Sequence, residues 1–241
     1  MTAPSKPRRV IGTILPSSNR TVERALAAIM PAFPQVDSCV ARIPYWGQGL
    51  GQPADGYDLP SYREAARLLG HAGAEVVCWN GSKGAALGLA TDRALAAVMA
   101  EAAGCPATTT ALATATLLAR LGIRRIGILA QGSAADAAAH GRGFAVETIA
   151  TRGLGIGDNR AAGAVPPGRL AALVRILAPG AEAVLIWSTN LPGWLAVPAM
   201  EAELGIPVLD SASVGVWACL AGLGLDPGPA AACGRIFTVA G

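Results

Sequence analysis

Charge is scarce in this chain of 241 residues: Asp, Glu, Lys and Arg make up 15%, against 52% hydrophobic residues. That balance excludes a disordered chain, and the length suffices for one large α/β domain or two half-sized ones. The 19 basic and 16 acidic residues leave a formal charge of only +3. No block of like charges is present to track a phosphate backbone, so nucleic acid is not an expected partner. Histidine occurs only as His71 and His140, both read as surface residues. Without a histidine–carboxylate cluster or a cysteine pair at metal spacing, a metal site and a Ser-His-Asp mechanism both lack support. GxxxxGK[ST] is missing, and so is GxGxxG, because Gly153, Gly155 and Gly157 are evenly spaced with no strand leading tightly into them. No cofactor is implied.

Long apolar runs are lacking too. The greasiest stretch, Leu87 to Ala103, is interrupted by Asp92, Arg93 and Glu101, which leaves it short of the ~20 apolar residues of a membrane span. Behind the basic opening Lys6-Pro7-Arg8-Arg9, the run Val10 to Leu15 is too short for a secretory segment. Five cysteines, an odd number at wide spacings, suit reduced core thiols better than a disulfide frame. The expectation is a soluble cytoplasmic protein with no membrane partner, and the high apolar content leaves a homo-oligomer open.

What is present is alternation. Short β-branched runs ending in turn residues alternate with alanine- and leucine-rich stretches of helical spacing, which predicts βαβ units and a mostly parallel sheet. Strands are expected at Arg9–Leu15, Ser38–Ile43, Glu75–Trp79, Ala107–Thr109, Arg125–Leu129, Phe144–Ile149, Ala183–Trp187 and Val208–Asp210. Helices are expected near Val22–Met30, Ser61–Leu69, Arg93–Ala103, Ala111–Leu121, Ala134–His140, Arg169–Leu177, Ala196–Leu204 and Val214–Leu223. Gly47–Pro60 and Gly153–Gly168 read as irregular.

The chain also echoes itself. Arg9-Val10-Ile11-Gly12 matches Arg124-Arg125-Ile126-Gly127. Ala74-Glu75-Val76-Val77 leads into Asn80-Gly81-Ser82 as Ala181-Glu182-Ala183-Val184 leads into Trp187-Ser188-Thr189. Gly104-Cys105-Pro106 matches Gly205-Ile206-Pro207. Gly81 faces Ser188 in register, whereas Trp79 and Trp187 are one place out of step. Three echoes in one order predict a duplicated α/β unit, divided as 1–112 plus 213–241 and 113–212. Open parallel sheets bind ligands outside the carboxyl ends of their strands. The residues of interest are therefore Pro16 to Asn19, Asn80 to Lys83, Gln131 to Ser133 and Ser188 to Asn190. Their small hydroxyls and amides either cap helices or receive a carboxylate.

Ile14-Leu15-Pro16-Ser17-Ser18-Asn19-Arg20-Thr21 resembles the opening of maleate cis-trans isomerases, and Trp187-Ser188-Thr189-Asn190-Leu191 resembles their Ser-Cys-Thr-Asn-Leu segment. Leu154 to Asn159 is similar to the segment whose asparagine contacts substrate carboxylate, and Gly234-Arg235-Ile236-Phe237 is similar to the ending of arylmalonate decarboxylases. The resemblance, to the aspartate/glutamate racemase superfamily, runs over nearly the whole chain. It implies two flavodoxin-like, three-layer halves about a pseudo-twofold axis. Racemases and maleate isomerases carry one cysteine per half, and the corresponding places here are Gly81 and Ser188. Arylmalonate decarboxylases share the glycine but keep the second cysteine. The tyrosine that the isomerases place after the first strand of the second half is replaced by Gln131-Gly132.

A serine hydroxyl is a far weaker acid than a thiol, so two-cysteine racemisation and thiolate addition are disfavoured. Cys78 and Cys219 read as core. The expected site binds a small carboxylic or dicarboxylic acid through Ser18, Asn19, Gly81, Asn159, Thr189 and Asn190. Ser188 holds the proton-donor place, and Ser82, Thr189 and Lys83 stabilise an enediolate or oxyanion. Lys83 is read as a carboxylate clamp, a base for Ser188 or a plain surface lysine. Tyr45, Trp46, Trp79, Trp187 and Trp194 are candidates for an apolar wall. A hydrolase with Ser188 as nucleophile, and a carboxylate-binding protein without chemistry, stay open as alternatives.

Overall fold

A computed structural model describes residues 8–46 and 51–241. Lys6, Pro7 and the first part of the irregular stretch, residues 47–50, lie outside them. The first half runs β1 (Arg9–Pro16), α1 (Thr21–Ile29), β2 (Val36–Ile43), α2 (Leu59–His71), β3 (Val76–Trp79), α3 (Gly84–Leu87), α4 (Leu89–Ala103), β4 (Ala107–Thr109) and α5 (Thr110–Arg120). The second runs β5 (Arg125–Ala130), α6 (Ala134–Arg142), β6 (Glu147–Gly153), α7 (Asn159–Ala162), α8 (Pro167–Leu177), β7 (Ala183–Trp187), α9 (Val197–Leu204), β8 (Val208–Asp210) and α10 (Ser211–Gly222). Two four-stranded parallel sheets result, ordered β2-β1-β3-β4 and β6-β5-β7-β8. The duplicated α/β architecture read from the internal echoes is the observed one.

The inner strands are mostly apolar because helices cover both faces of each sheet. Every residue of β3 and of β7 is buried, while the edge strand β2 is buried only at its two ends and β6 has no buried position. The largest core lies between the sheets. It joins Ile11, Val76 and Cys78 of one sheet to Ile128, Leu185 and Trp187 of the other through α1, α5 and α10. Two further cores lie on the outer faces, one under α2 and α4 with Val77 and Trp79, the other under α8 and α9 with Val184 and Ile186. The division proposed from the repeat, at 112/113 and 212/213, passes through α5 and α10, which pack on one another.

The echoes have physical causes. Gly104 and Gly205 both end a helix at positive φ (71° and 73°), a conformation glycine adopts at no steric cost. The proline after each then leads into the next strand. Thr109 and Asp210 stand at the matching strand ends and cap α5 and α10, accepting from the N–H groups of Leu112 (3.2 Å) and Ser213 (2.9 Å).

Three expectations shift. The strand placed at Phe144–Ile149 runs instead from Glu147 to Gly153, because Phe144 turns inward ahead of it and packs edge-on against Trp187, centroids 5.0 Å apart. The edge strand itself is mostly polar and gave little apolar signal. The stretch read as irregular at 153–168 contains α7, capped by the Asp158 carboxylate, and the start of α8 at Pro167. Helix α2 begins at Leu59, inside the first irregular stretch, with Pro60 in its first turn.

Candidate active site

Strand pairing brings the loops to one level: Ile14 lies beside Trp79 at the end of one sheet, and Ala130 beside Trp187 at the end of the other. Side chains tie the loops across the two halves. Asn19 is fully buried; its Nδ2 donates to the carbonyl (3.0 Å) and Oγ1 (3.1 Å) of Thr189, and its Oδ1 accepts from the Val22 N–H at 3.0 Å. Thr21 Oγ1 donates to the Asn190 carbonyl at 2.8 Å, and Trp187 Nε1 donates to the Ser82 carbonyl at 3.0 Å.

These ties frame a cavity of about 430 Å³. Gly81, Ser82, Lys83, Asn159, Ser188, Thr189 and Asn190 all line it, so the strand-end loops do meet. Two predicted binding residues stand behind it. Asn19 uses its whole side chain to join the loop after β1 to the loop after β7, a positioning task. Ser18 Oγ accepts from Asn159 Nδ2 at 3.0 Å and so holds that amide from the rear.

The polar centre is a chain of hydrogen bonds around Gln131, a strand-end residue of interest to which the sequence alone assigns no role in the site. Gln131 Oε1 accepts from Ser188 Oγ at 2.6 Å and from Asn190 Nδ2 at 3.3 Å, while Gln131 Nε2 donates to Asn159 Oδ1 at 3.1 Å. The Ser188 oxygen also accepts from the Asn190 N–H at 3.2 Å. One amide thus fixes the serine rotor and orients two asparagines. Its place in a polar strand-end loop was the available signal. Among the described residues, the N–H groups of Ser82, Lys83 and Thr189 donate to no protein acceptor, which leaves backbone donors free in residues that line the cavity.

Lys83 lines the cavity, but its ammonium is occupied elsewhere. It donates to the carbonyls of Pro53 and Gly56, the latter at 2.9 Å, and lies 5.9 Å from the Tyr57 ring centroid. Burial pulls its pKa below the usual lysine range, against an opposing pull from Asp55. Its placement is a clasp on residues 53–56, and the Ser188 hydroxyl is bonded to Gln131 rather than to Lys83.

His140, expected at the surface, lines the cavity and is half-buried, with its Nδ1 buried and unpartnered among the described residues. Burial pushes its pKa down to about 4 despite the Asp136 charge, so its imidazole is neutral at pH 7. Position before Gly141 suggested a helix end in solvent; the rotation of α6 toward Trp187 is tertiary and has no local signature. Asp92 also went unread. It is completely buried, accepts from Tyr57 Oη at 2.5 Å and from the Thr109 hydroxyl, and burial raises its pKa. Of the aromatic candidates, Tyr45, Trp79 and Trp187 line the cavity, whereas Trp46 borders a neighbouring recess and Trp194, partly buried, packs against the core between the sheets. Cys78 and Cys219 are buried together away from the cavity, and the Cys78 thiol is pushed up first by its bond to Cys219 and then by burial.

Twin parallel sheets thus bring their strand ends to one polar cavity. The family model for arylmalonate decarboxylase matches residues 40–237, and the chain belongs to that family. Arylmalonate decarboxylase of Bordetella bronchiseptica is 33% identical over 240 residues, covering 94% of this chain and 95% of its own. A liganded double variant of arylmalonate decarboxylase, one glycine changed to cysteine and one cysteine to serine, superposes with a TM-score of 0.73 at 26% identity, over 88% of this chain and 91% of that one. A cysteine-to-serine variant of Nocardia farcinica maleate cis-trans isomerase, bearing a covalent succinylcysteine intermediate, shares the fold with a TM-score of 0.83 at 22% identity, over 95% and 98% of the two chains. No helix among the described residues is long and apolar enough to cross a membrane.

Proposed function

We propose that this chain is a cytoplasmic, cofactor-independent enzyme that decarboxylates or isomerises a small carboxylic or dicarboxylic acid through an enediolate. The observation that carries this reading is that the Ser188 hydroxyl, held by Gln131, shares one cavity with residues whose backbone donors are free. A carboxylate there accepts from the N–H groups of Ser82, Lys83 and Thr189, with Asn159 and Asn190 beside it. Loss of carbon dioxide breaks the bond to the departing carboxylate and leaves its electron pair behind, which moves a second negative charge onto the oxygens of the carboxylate that stays. Preorganised donors then bind the intermediate more tightly than the ground state.

Apolar walls from Trp79 and Trp187 lower the dielectric around the reacting carboxylate. Ser188 delivers the proton. As a weak acid it makes that step slow, in contrast to the thiol of related enzymes. Because the serine proton rests on an amide oxygen rather than on a base, nothing in the geometry favours a hydrolase. The partner is a small molecule rather than nucleic acid or membrane.

Calorimetric titration with phenylmalonate and with maleate, coupled to product detection at high enzyme concentration, tests the reading. Saturable binding of one of them, weakened in Asn159→Leu, with slow product formation is expected. Absence of both binding and turnover for the two acids overturns it.

A further inference from the structure

In each half a cavity loop rests, through a glycine, on a buried carboxylate. Gly84 directly follows Ser82 and Lys83, and a Cβ there would collide with both carboxylate oxygens of Asp92. In the second half a Cβ on Gly193, shortly after Asn190, would fall 2.6 Å from Asp210 Oδ1. Both carboxylates are buried. Asp210 also caps α10, whereas Asp92 caps no helix, and among the described residues no basic side chain pairs with it. Burying a carboxylate is costly, and exchanging a buried polar group and its partners for apolar ones of the same shape is often nearly neutral. Stability alone therefore gives no reason for a carboxylate at 92.

What Asp92 does is join segments. Tyr57 Oη donates to its Oδ1 at 2.5 Å, and the Thr109 hydroxyl donates to its Oδ2. The stretch that ends in Tyr57 receives the Lys83 ammonium on its Pro53 and Gly56 carbonyls, and its Ala54 lines the cavity. The Tyr57 ring stands edge-on to Tyr62, centroids 5.2 Å apart, and Tyr62 backs the cavity-lining Trp79 at 4.9 Å. One carboxylate thus reaches two walls of the cavity, loop 81–84 through Gly84 and stretch 53–57 through Tyr57. We infer that Asp92 is a positioning residue for the reaction: from behind the cavity it sets the place of the Ser82 and Lys83 N–H groups. The inference deepens the proposed function and rests on it for its chemical consequence, since those N–H groups are the ones that receive the substrate carboxylate. Donors fixed in advance need no reorganisation as charge develops, and a misplacement of about 1 Å costs on the order of a hundredfold in rate.

The test compares Tyr57→Phe, Asp92→Asn and Asp92→Leu with a control, Val174→Ala, in the outer core of the second half. Tyr57→Phe removes one hydroxyl and keeps the ring against Tyr62. Calorimetry with phenylmalonate and maleate is expected to show binding weakened about fivefold or more in Tyr57→Phe, and further in Asp92→Leu. Asp92→Asn, whose amide accepts from Thr109 and donates to Tyr57, is expected to stay near wild type. Tyr57→Phe combined with Asp92→Leu loses no more than Asp92→Leu alone, because the two residues act as one unit. Val174→Ala lowers the melting temperature but leaves the dissociation constant of the folded protein unchanged, as loss of a merely structural contact does. In two-dimensional amide NMR spectra without ligand, Tyr57→Phe moves the signals of Ser82 to Gly84 and leaves that of Thr189 in place.

A wild-type dissociation constant in Tyr57→Phe, or unmoved amide signals at 82–84, overturns the inference. So does a loss of affinity in Val174→Ala equal to that in Tyr57→Phe. Where Asp92→Leu does not fold, Tyr57→Phe and Asp92→Asn decide. If wild type binds neither acid while the signals of Ser82 to Gly84 still move with Tyr57→Phe, the reaction reading fails and the positioning by Asp92 stands.

Discussion

The two halves place a tryptophan at almost the same point, and the difference of one residue decides what each does. Trp187 directly precedes Ser188 and points into the core between the sheets, where its N–H bonds to the Ser82 carbonyl at 3.0 Å and its ring meets Phe144. Trp79 stands two places before Gly81 and points to the outer core under α2 and α4, where its N–H has no partner among the described residues. Successive strand residues face opposite sides of a sheet, so a one-place slip in a repeat sends the same side chain to opposite faces. The duplication kept the frame and divided the work. One half presents a hydroxyl on a built amide network, and the other presents bare backbone closed by an indole.

The sharpest way to break this comparison is at the hydroxyl. Gln131→Leu removes the acceptor of Ser188 and the donor to Asn159 together, and should weaken binding of a carboxylate ligand about tenfold or more in calorimetry. An unchanged affinity would mean that the amide chain is not the binding side. Asn19→Ala cuts the tie between the loops of the two halves and the cap of α1, and a buried donor pair lost this way costs about 1–3 kcal/mol, visible as a lower melting temperature.

Asp210 sharpens the contrast with its counterpart, the neutral Thr109. Its carboxyl is completely buried, and burial pushes its pKa up to about 7, against the bonds it accepts from Ser213. A folded-state pKa above the unfolded value means that the native state binds the extra proton. This contribution to stability is therefore full below about 4 and is lost as pH rises through 7. Asp210→Asn keeps the cap without titrating, so its melting temperature should vary less than wild type between pH 5 and 8. An identical pH profile would contradict the assignment. The smallest effect is expected from Lys83→Met, which frees residues 53–56 and should raise KM modestly with little change in kcat, because the ammonium is occupied by two carbonyls.

Much of this arrangement is legible in the chain. The repeated glycine and proline positions, the apolar inner strands and the four polar loops are local features, and β4, β7 and β8 run between the expected residues. What escaped is set by tertiary packing. Rotation of α6 turns His140 into the cavity. The backbone at 53–56 draws the Lys83 ammonium aside, and a polar edge strand hides β6. Gln131 carried a signal, a polar residue at a strand end, but its importance depends on the distance to Ser188, which no spacing along the chain reports.

The proton-donor role of Ser188 is tested most directly by the rate of carbon dioxide release from phenylmalonate by wild type and by Ser188→Cys under the same conditions. A cysteine there restores an acid of ordinary thiol strength, and the account predicts a gain of about tenfold or more in kcat with KM little changed. An equal or slower rate, with phenylmalonate still bound as tightly, would contradict it.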